Sequence, residues 1–393
     1  MSDHISFFQA AQGLVAVALP FDYRQAVEDW YTLRSHMVQQ IPAEFTRDEW
    51  AYLVTFLERD NLMRPFLTSF GSVVNDARET PGVLYRPRGP IAVWLPNNVS
   101  LLGPLTLVLL SLTGQPMRLK LGSSADDLAG AFLGYAASNL PAGDLRDYLN
   151  DRVRAERFER DDPRQQELAA AAKVRIVFGS DAASEAIHGL PHPLDSIGFS
   201  FADRQSEAWL EPDAVNEQVL VTLLKVFAIY GQAGCTSPRR VVLLEGNDDD
   251  AADLRNRLLD LWPKVLRNET AMHIASENLQ ADQWARALGW DAQRAPGNAA
   301  VLACGPHGLP PFEGRMALRI QAGTRQQARD DLPSNIQTIG YALAEPQDRA
   351  WLRLLADSPV LRFVPLGQMH YFGSHWDGQE FWRQCFEGME IRQ

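Results

Sequence analysis

The chain has 393 residues, 46% of them hydrophobic and 22% charged, a globular composition with apolar material for more than one core. Its 49 acidic residues against 37 basic ones leave a net charge of −12, which argues against general nucleic-acid binding, because phosphate contact needs a basic face. Cys235, Cys304 and Cys385 are odd in number and widely spaced, with no Cys-x-x-Cys pair, so neither a disulfide framework nor a structural zinc site is suggested, and a reducing, cytoplasmic setting fits.

In chain order, residues 1–6 place no basic stretch ahead of an apolar core, so no secretory leader is read there. Residues 1–80 are mostly amphipathic helical pattern. Segments 22–40 and 46–59 carry apolar residues at spacings of three and four, with Trp50, Leu53, Phe56 and Leu57 on one face. Thr46 with Glu49 three residues later has the form of a capping box and predicts a helix start. This segment reads as a packing shell or a dimer surface.

From residue 83 the character changes. A turn with strand edges over 83–90 leads into a short buried strand, Ile91-Ala92-Val93-Trp94-Leu95, and then through Pro96-Asn97-Asn98-Val99-Ser100 into an apolar helix over 101–113. The apolar run 99–113 is interrupted by Ser100, Gly103, Pro104, Thr106 and Ser111, too short and too mixed for a membrane span. A strand over 117–121, a loop with a helix cap over 122–127 and a helix over 128–138 follow. Strand–helix–strand–helix predicts a parallel sheet with right-handed crossovers, whose ligands bind at the carboxyl ends of the strands. Asn98 and Lys120 lie at two such ends. Taken alone, they read as a turn former and a solvated surface charge.

The charged stretch 152–164 predicts a solvated helix face or connector. A strand over 173–178 runs into Gly179-Ser180-Asp181-Ala182-Ala183, small residues opening a helix. That pattern suits close approach of a cofactor as well as a plain strand-to-helix turn, and it is no G-x-G-x-x-G fingerprint. Another buried strand runs over 197–202. Beyond the cysteine turn come a strand at 241–244, a helix at 250–265, strands at 300–304, 317–320 and 335–341, and a helix at 348–356. The Gly- and aromatic-rich stretch 362–378 reads as a loop packed over another element. His370 and His375 stand near Asp377 but lack a third ligand, and no metal is expected.

The chemistry points to Gly231-Gln232-Ala233-Gly234-Cys235-Thr236-Ser237-Pro238, between a helical apolar run at 219–230 and the strand at 241–244. Small residues on this Pro-bounded turn let another molecule approach the sulfur. Thr236 and Ser237 can donate to a developing charge, and a helix starting just past the cysteine would favour its thiolate. The competing reading is a cysteine buried as a small hydrophobe.

Several stretches, in order, resemble the LuxC-type acyl-CoA reductases of the aldehyde dehydrogenase superfamily. They are Leu95-Pro96-Asn97-Asn98-Val99-Ser100, Gly114-Gln115-Pro116 to Lys120, Phe178-Gly179-Ser180-Asp181, the cysteine turn, Ile336-Gln337-Thr338, and Pro365-Leu366-Gly367 with Trp376-Asp377-Gly378. The resemblance implies an α/β, aldehyde dehydrogenase-like fold with a Rossmann-type parallel-sheet cofactor domain and an α/β catalytic domain. A helical segment at 1–80 would pack on a cofactor domain at 81–228. A catalytic domain at 229–360 and a C-terminal segment at 361–393 returning to the cofactor domain would follow. It further implies reduction of an acyl thioester, carried on CoA or on an acyl-carrier protein, to the aldehyde by NADPH. Cys235 falls on the nucleophile and Asn98 on the oxyanion-stabilising asparagine. Lys120 falls on the lysine that contacts the adenosine ribose or its phosphate, while Ser123, Gly179 and Ser180 fall on loops facing the cofactor. A homo-oligomer and an acyl-transferring partner enzyme belong to the same implication.

Aldehyde-oxidising relatives carry a water-activating glutamate where this chain has Ile197-Gly198-Phe199-Ser200-Phe201-Ala202, without a carboxylate. That suits a reductase, because hydrolysis would divert the acyl-enzyme. Arg204 can take the place of a basic residue found there in reductases, and Glu207 is left unassigned. Two alternatives stay open: a cysteine acyltransferase without redox chemistry, and a non-catalytic binding protein of this fold.

Overall fold

The computed structural model describes residues 6–10, 15–71, 73–74, 81–124, 126–266, 272–346 and 348–392. The leader reading at 1–5, and Ala125 within the loop expected at 122–127, lie outside them. The chain forms two compact units, Met1–Ala202 with Phe372–Gln393, and Asp203–Tyr371. The sequence reading ends the cofactor domain at residue 228. The second unit starts earlier because the strand Gln205–Leu210 pairs with the strands that follow the cysteine turn.

The first unit opens with β1 (Ser6–Ala10) and β2 (Val15–Leu19), an antiparallel pair ahead of the expected helices. Helices α1 (Tyr23–Met37), α2 (Arg47–Phe56) and α3 (Arg59–Phe70) follow. The capping box starts α2: Thr46 Oγ1 accepts from the Glu49 amide at 3.3 Å and Glu49 accepts from the Thr46 amide at 2.9 Å. Two further strands, β3 (Val73–Val74) and β4 (Val83–Pro87), come next.

A five-stranded parallel sheet then forms from β5 (Ile91–Trp94), β6 (Met117–Lys120), β7 (Val153–Glu156), β8 (Val174–Gly179) and β9 (Ile197–Ala202), in the order β7-β6-β5-β8-β9. Its crossovers are α4 (Leu102–Ser111), α5 (Leu128–Asn139) with α6 (Asp144–Arg152), α7 (Arg164–Ala171) and α8 (Asp181–His188). All four residues of β5 are buried, as expected of a parallel strand with both faces covered. The chain reverses its direction of growth between β5 and β8, the switch point at which open α/β sheets bind ligands. The charged stretch expected as a solvated helix face or connector at 152–164 instead holds the edge strand β7. It is drawn into the sheet by pairing with β6 and by the Arg118–Glu156 ion pair between the two strands.

Helix α4 is apolar all round, and Gly103–Ser111 is buried throughout. Its cover comes from both chain ends. The Trp30 indole of α1 donates to Ser111 Oγ at 3.0 Å, and the Trp382 indole donates to the Leu109 carbonyl at 2.9 Å, both rings fully buried. Truncating a buried tryptophan of this kind costs roughly 3–5 kcal/mol, so these two anchors bind the helical N-terminus and the C-terminal segment to the sheet.

The second unit is built on a seven-stranded sheet. Its strands are β10 (Gln205–Leu210), β11 (Pro238–Leu244), β12 (Asp291–Arg294), β13 (Val301–Cys304), β14 (Ala317–Gly323), β15 (Ile336–Ala342) and β16 (Arg362–Pro365), in the order β12-β13-β14-β11-β10-β15-β16. All pairings are parallel except β12 with β13. Helices α9 (Glu217–Ala228), α10 (Asp248–Val265) and α11 (Met272–Ala287) accompany this sheet, as do α12 (Arg325–Asp330) and α13 (Arg349–Ala356). Leu220, Leu224, Leu254, Leu258, Leu318 and Ile320 belong to its largest core. The chain ends in the first unit with α14 (Phe381–Gln384) and β17 (Phe386–Glu390), which pairs antiparallel with β4.

Candidate active site

In the first unit, the expected cofactor residues gather at one edge of one sheet. Lys120 ends β6, Gly179 ends β8, and Asn98 follows β5, the strand between them. The loops after β5 and β6 are locked together: the Asn97 side-chain oxygen accepts from the Ser124 amide at 3.1 Å. Gly122 sits so close to that oxygen and to the Pro96 carbonyl that a Cβ would collide with both. Ser123, next to Gly122, is half-buried, and Asn98 is exposed. Ser180 caps α8, its hydroxyl accepting from the Ala183 amide at 3.2 Å.

Lys120 differs from the solvated charge that the sequence alone suggests. It is 7% exposed, with Nζ 5.6 Å from the centre of the Phe158 ring. No ion pair to it is present among the described residues. Burial lowers its pKa, with Glu159 opposing and Arg160 adding to the effect. Arg118, two residues before it on β6, is held in a two-pronged contact with Glu156, at 2.6 and 2.9 Å.

In the second unit, Cys235 is exposed on the turn ahead of β11. The other two thiols are buried, and burial pushes Cys304 up to about 11 and Cys385 up to about 12. Thiolate chemistry therefore favours Cys235. No helix follows the cysteine: β11 begins at Pro238, so the condition for helix-dipole assistance to the thiolate is not met.

The turn is built from three consecutive left-handed residues, Tyr230, Gly231 and Gln232, with φ of 53°, 58° and 60°. Two of them carry a Cβ, a conformation that costs roughly 1–2 kcal/mol per residue. Gln232 explains how it is held. The side chain is 1% exposed, and its amide donates to the carbonyls of Pro238 at 3.0 Å and Ala317 at 2.8 Å. Its oxygen accepts from the Ala317 amide at 2.9 Å. The turn is thereby fastened to the start of β14. At the cysteine itself, Ser206 of β10 donates its hydroxyl to the Cys235 carbonyl at 2.7 Å.

Thr236 and Ser237, read as donors to a developing charge, do not fit that role. Both are buried, at 5% and 1% exposure, and Thr236 Oγ1 lies 2.6 Å from Nδ1 of His370. His370 uses its other ring nitrogen on the Val226 carbonyl, at 2.7 Å. Glu207 is also removed from chemistry: it is 2% exposed and paired with Arg240 at 2.8 Å. Gln232, Ser206 and His370 are the positioning groups that sequence reasoning missed. Gln232 entered the sequence reading only as part of the cysteine motif, and His370 only as a metal ligand short of partners.

The sequence matches the family described as Acyl-CoA reductase (LuxC) over residues 25–272. No curated protein matches it significantly. Among solved structures it is similar to an oxidoreductase from Marinobacter aquaeolei, at 13% identity and a TM-score of 0.67, covering 97% of this chain and 88% of that one. It is likewise similar to an NAD-dependent aldehyde dehydrogenase from Sinorhizobium meliloti, at 11% identity and a TM-score of 0.65, covering 94% and 82%. A methylmalonate-semialdehyde dehydrogenase from Oceanimonas doudoroffii gives 11% identity and a TM-score of 0.65, covering 94% and 85%. At such identities the likeness is one of fold, and the fold is that of the aldehyde dehydrogenases.

Proposed function

Since the chain belongs to the LuxC family of acyl-CoA reductases, we propose that it reduces an acyl thioester, on CoA or a carrier protein, to the aldehyde with NADPH, by way of an acyl group held on Cys235. The observation that carries this reading is the exposure of Cys235 on a turn fastened by buried hydrogen bonds, while the other two thiols are buried.

As a thiolate, Cys235 attacks the thioester carbonyl. The carrier thiolate leaves and takes up a proton from solvent, and one thioester replaces another, so no strong base is needed. When bound, a reduced nicotinamide supplies the hydride that converts the acyl carbon to the aldehyde. Cys235 leaves again as thiolate. Asn98 and the Cys235 backbone N–H are the proposed donors to the tetrahedral oxyanion, each such donor being worth ~3 kcal/mol. Water activation is not provided for in β9, where Ser200 bonds the hydroxyl of Ser184 at 2.5 Å. That favours hydride transfer to the acyl carbon over hydrolysis.

A dinucleotide suits the carboxyl edge of the first sheet. Lys120 is a buried cation with no ion pair among the described residues, the state of a group whose counter-charge a phosphate would supply or whose hydrogens a ribose hydroxyl would accept. Ser123, Gly179 and Ser180 line the neighbouring loops in this reading. With Arg118 committed to Glu156, preference for NADPH over NADH rests on Lys120.

The test is a panel of acyl-CoAs with NADPH or NADH, following nicotinamide absorbance and trapping the aldehyde. We expect one aldehyde per nicotinamide oxidised, with acyl labelling and turnover both lost in Cys235→Ala. Reduction retained by that variant would refute the assignment. Acyl-enzyme formed without nicotinamide oxidation would favour the acyltransferase instead.

A further inference from the structure

His370 touches three parts of the segment that carries Cys235. Its Nε2 lies 2.7 Å from the Val226 carbonyl on α9, just upstream. Its ring meets the Tyr230 ring edge-on, with centroids 6.4 Å apart, at the first left-handed residue. Its Nδ1 lies 2.6 Å from the hydroxyl of Thr236, the residue next to Cys235. Arg362 holds the backbone around it, donating to the Met369 and Tyr371 carbonyls at 3.1 Å each. Met369, fully buried, packs against Gly340 with no room for a Cβ. The imidazole is therefore fixed from behind and bears on the cysteine turn.

The contacts also fix its proton. A carbonyl only accepts, so Nε2 carries the hydrogen that Val226 receives. Burial, with the Arg362 charge adding to it, lowers the His370 pKa to about 4. The ring is neutral near pH 7, so Nδ1 accepts and the Thr236 hydroxyl donates. With both nitrogens in use, the ring has no proton to exchange with a substrate.

We propose that His370 is the positioning residue of the nucleophile: its Nδ1 takes the Thr236 hydroxyl hydrogen and holds the turn so that the Cys235 sulfur faces outward. This rests on Cys235 being the nucleophile, but the test does not require turnover. Cys304 and Cys385 are buried, so the rate of iodoacetamide alkylation of the native chain reports Cys235. Thr236→Val removes the hydroxyl at nearly constant shape. It should slow alkylation by about tenfold, as expected when one directed hydrogen bond and its alignment are lost. Thr236→Ser should restore the rate.

His370→Asn keeps an acceptor where Nδ1 stands and should stay near wild type. His370→Gln moves the amide to the Nε2 position and should fall as far as Thr236→Val, with the double variant falling no further. The apparent pKa of alkylation should be the same in wild type and His370→Asn. Wild-type alkylation in folded Thr236→Val, or a pH inflection that vanishes in His370→Asn, overturns the proposal. The latter would make His370 a proton acceptor. Should Cys235→Ala still reduce acyl-CoA, the catalytic reading fails while these alkylation rates still decide the role of His370.

Discussion

Gln232 offers the sharpest quantitative test of how the cysteine turn is held. Replacing it with alanine removes one acceptor and two donated hydrogen bonds, leaving the Pro238 and Ala317 carbonyls and the Ala317 amide without this partner in a buried place. A buried polar group left unmade costs about 1–3 kcal/mol. Water reaching part of the vacated space lowers the sum, so Gln232→Ala should lose about 3–5 kcal/mol. That is a large share of the 5–15 kcal/mol typical of a folded protein. Gln232→Gly loses the same bonds but relieves the left-handed φ of 60°, and should recover about 1 kcal/mol relative to alanine.

Gln232→Glu adds a sign. Its shape is right, but a carboxylate would present an acceptor to two carbonyls, and only the protonated acid can donate to one of them. Its folded pKa is therefore raised above the unfolded value. Its stability is fully present below the unfolded pKa of about 4.3 and is lost as pH rises through the folded one. Guanidinium denaturation followed by tryptophan fluorescence at pH 7 and pH 5 measures all three variants. Gln232→Ala within about 1 kcal/mol of wild type, or Gln232→Gly no better than alanine, would show that other groups hold the turn.

Four other outcomes are expected. Gly340→Ala should destabilise by about 1–3 kcal/mol through overpacking of the Met369 sulfur, with Met369→Ala in the same chain recovering part of that loss on denaturation. His370, held near pKa 4 against an ordinary 6.5, is charged more readily in the unfolded chain. Stability should therefore drop as pH falls from about 6.5 to 4, by at most about 3 kcal/mol, and His370→Asn should flatten that part of the profile. Gly122→Ala should push apart the loops tied by Asn97 and Ser124 and raise the KM for nicotinamide several-fold while leaving Cys235 alkylation unchanged. Lys120→Met should match or exceed wild-type stability, since it removes a buried charge with no ion pair among the described residues, yet raise the KM for NADPH; an unchanged KM would clear Lys120 of cofactor contact.

What the sequence disclosed follows from what a local window can hold. The strands β5 and β8 stand out as largely apolar runs because a parallel strand buries both faces, and β6 shows through the alternation of Met117 and Leu119 with Arg118 and Lys120. Their ends, and with them Asn98, Lys120 and Gly179, are therefore placed correctly on the sheet. The cysteine turn was legible through its glycines and proline. β7 was hidden because it lies at the sheet edge, where Arg154 and Glu156 are tolerated. β10 was hidden because Glu207 interrupts its apolar pattern. That glutamate lies in the core only because Arg240, 33 residues later, meets it on the neighbouring strand. Thr236 shows the same limit at the site. A hydroxyl beside a cysteine reads as a donor to substrate until His370, 134 residues downstream, is brought against it. Residue type and spacing reveal which groups could act. The partner that takes up a hydroxyl's only hydrogen is decided by topology, so near Cys235 the fold assigns to support what the local sequence offers to chemistry.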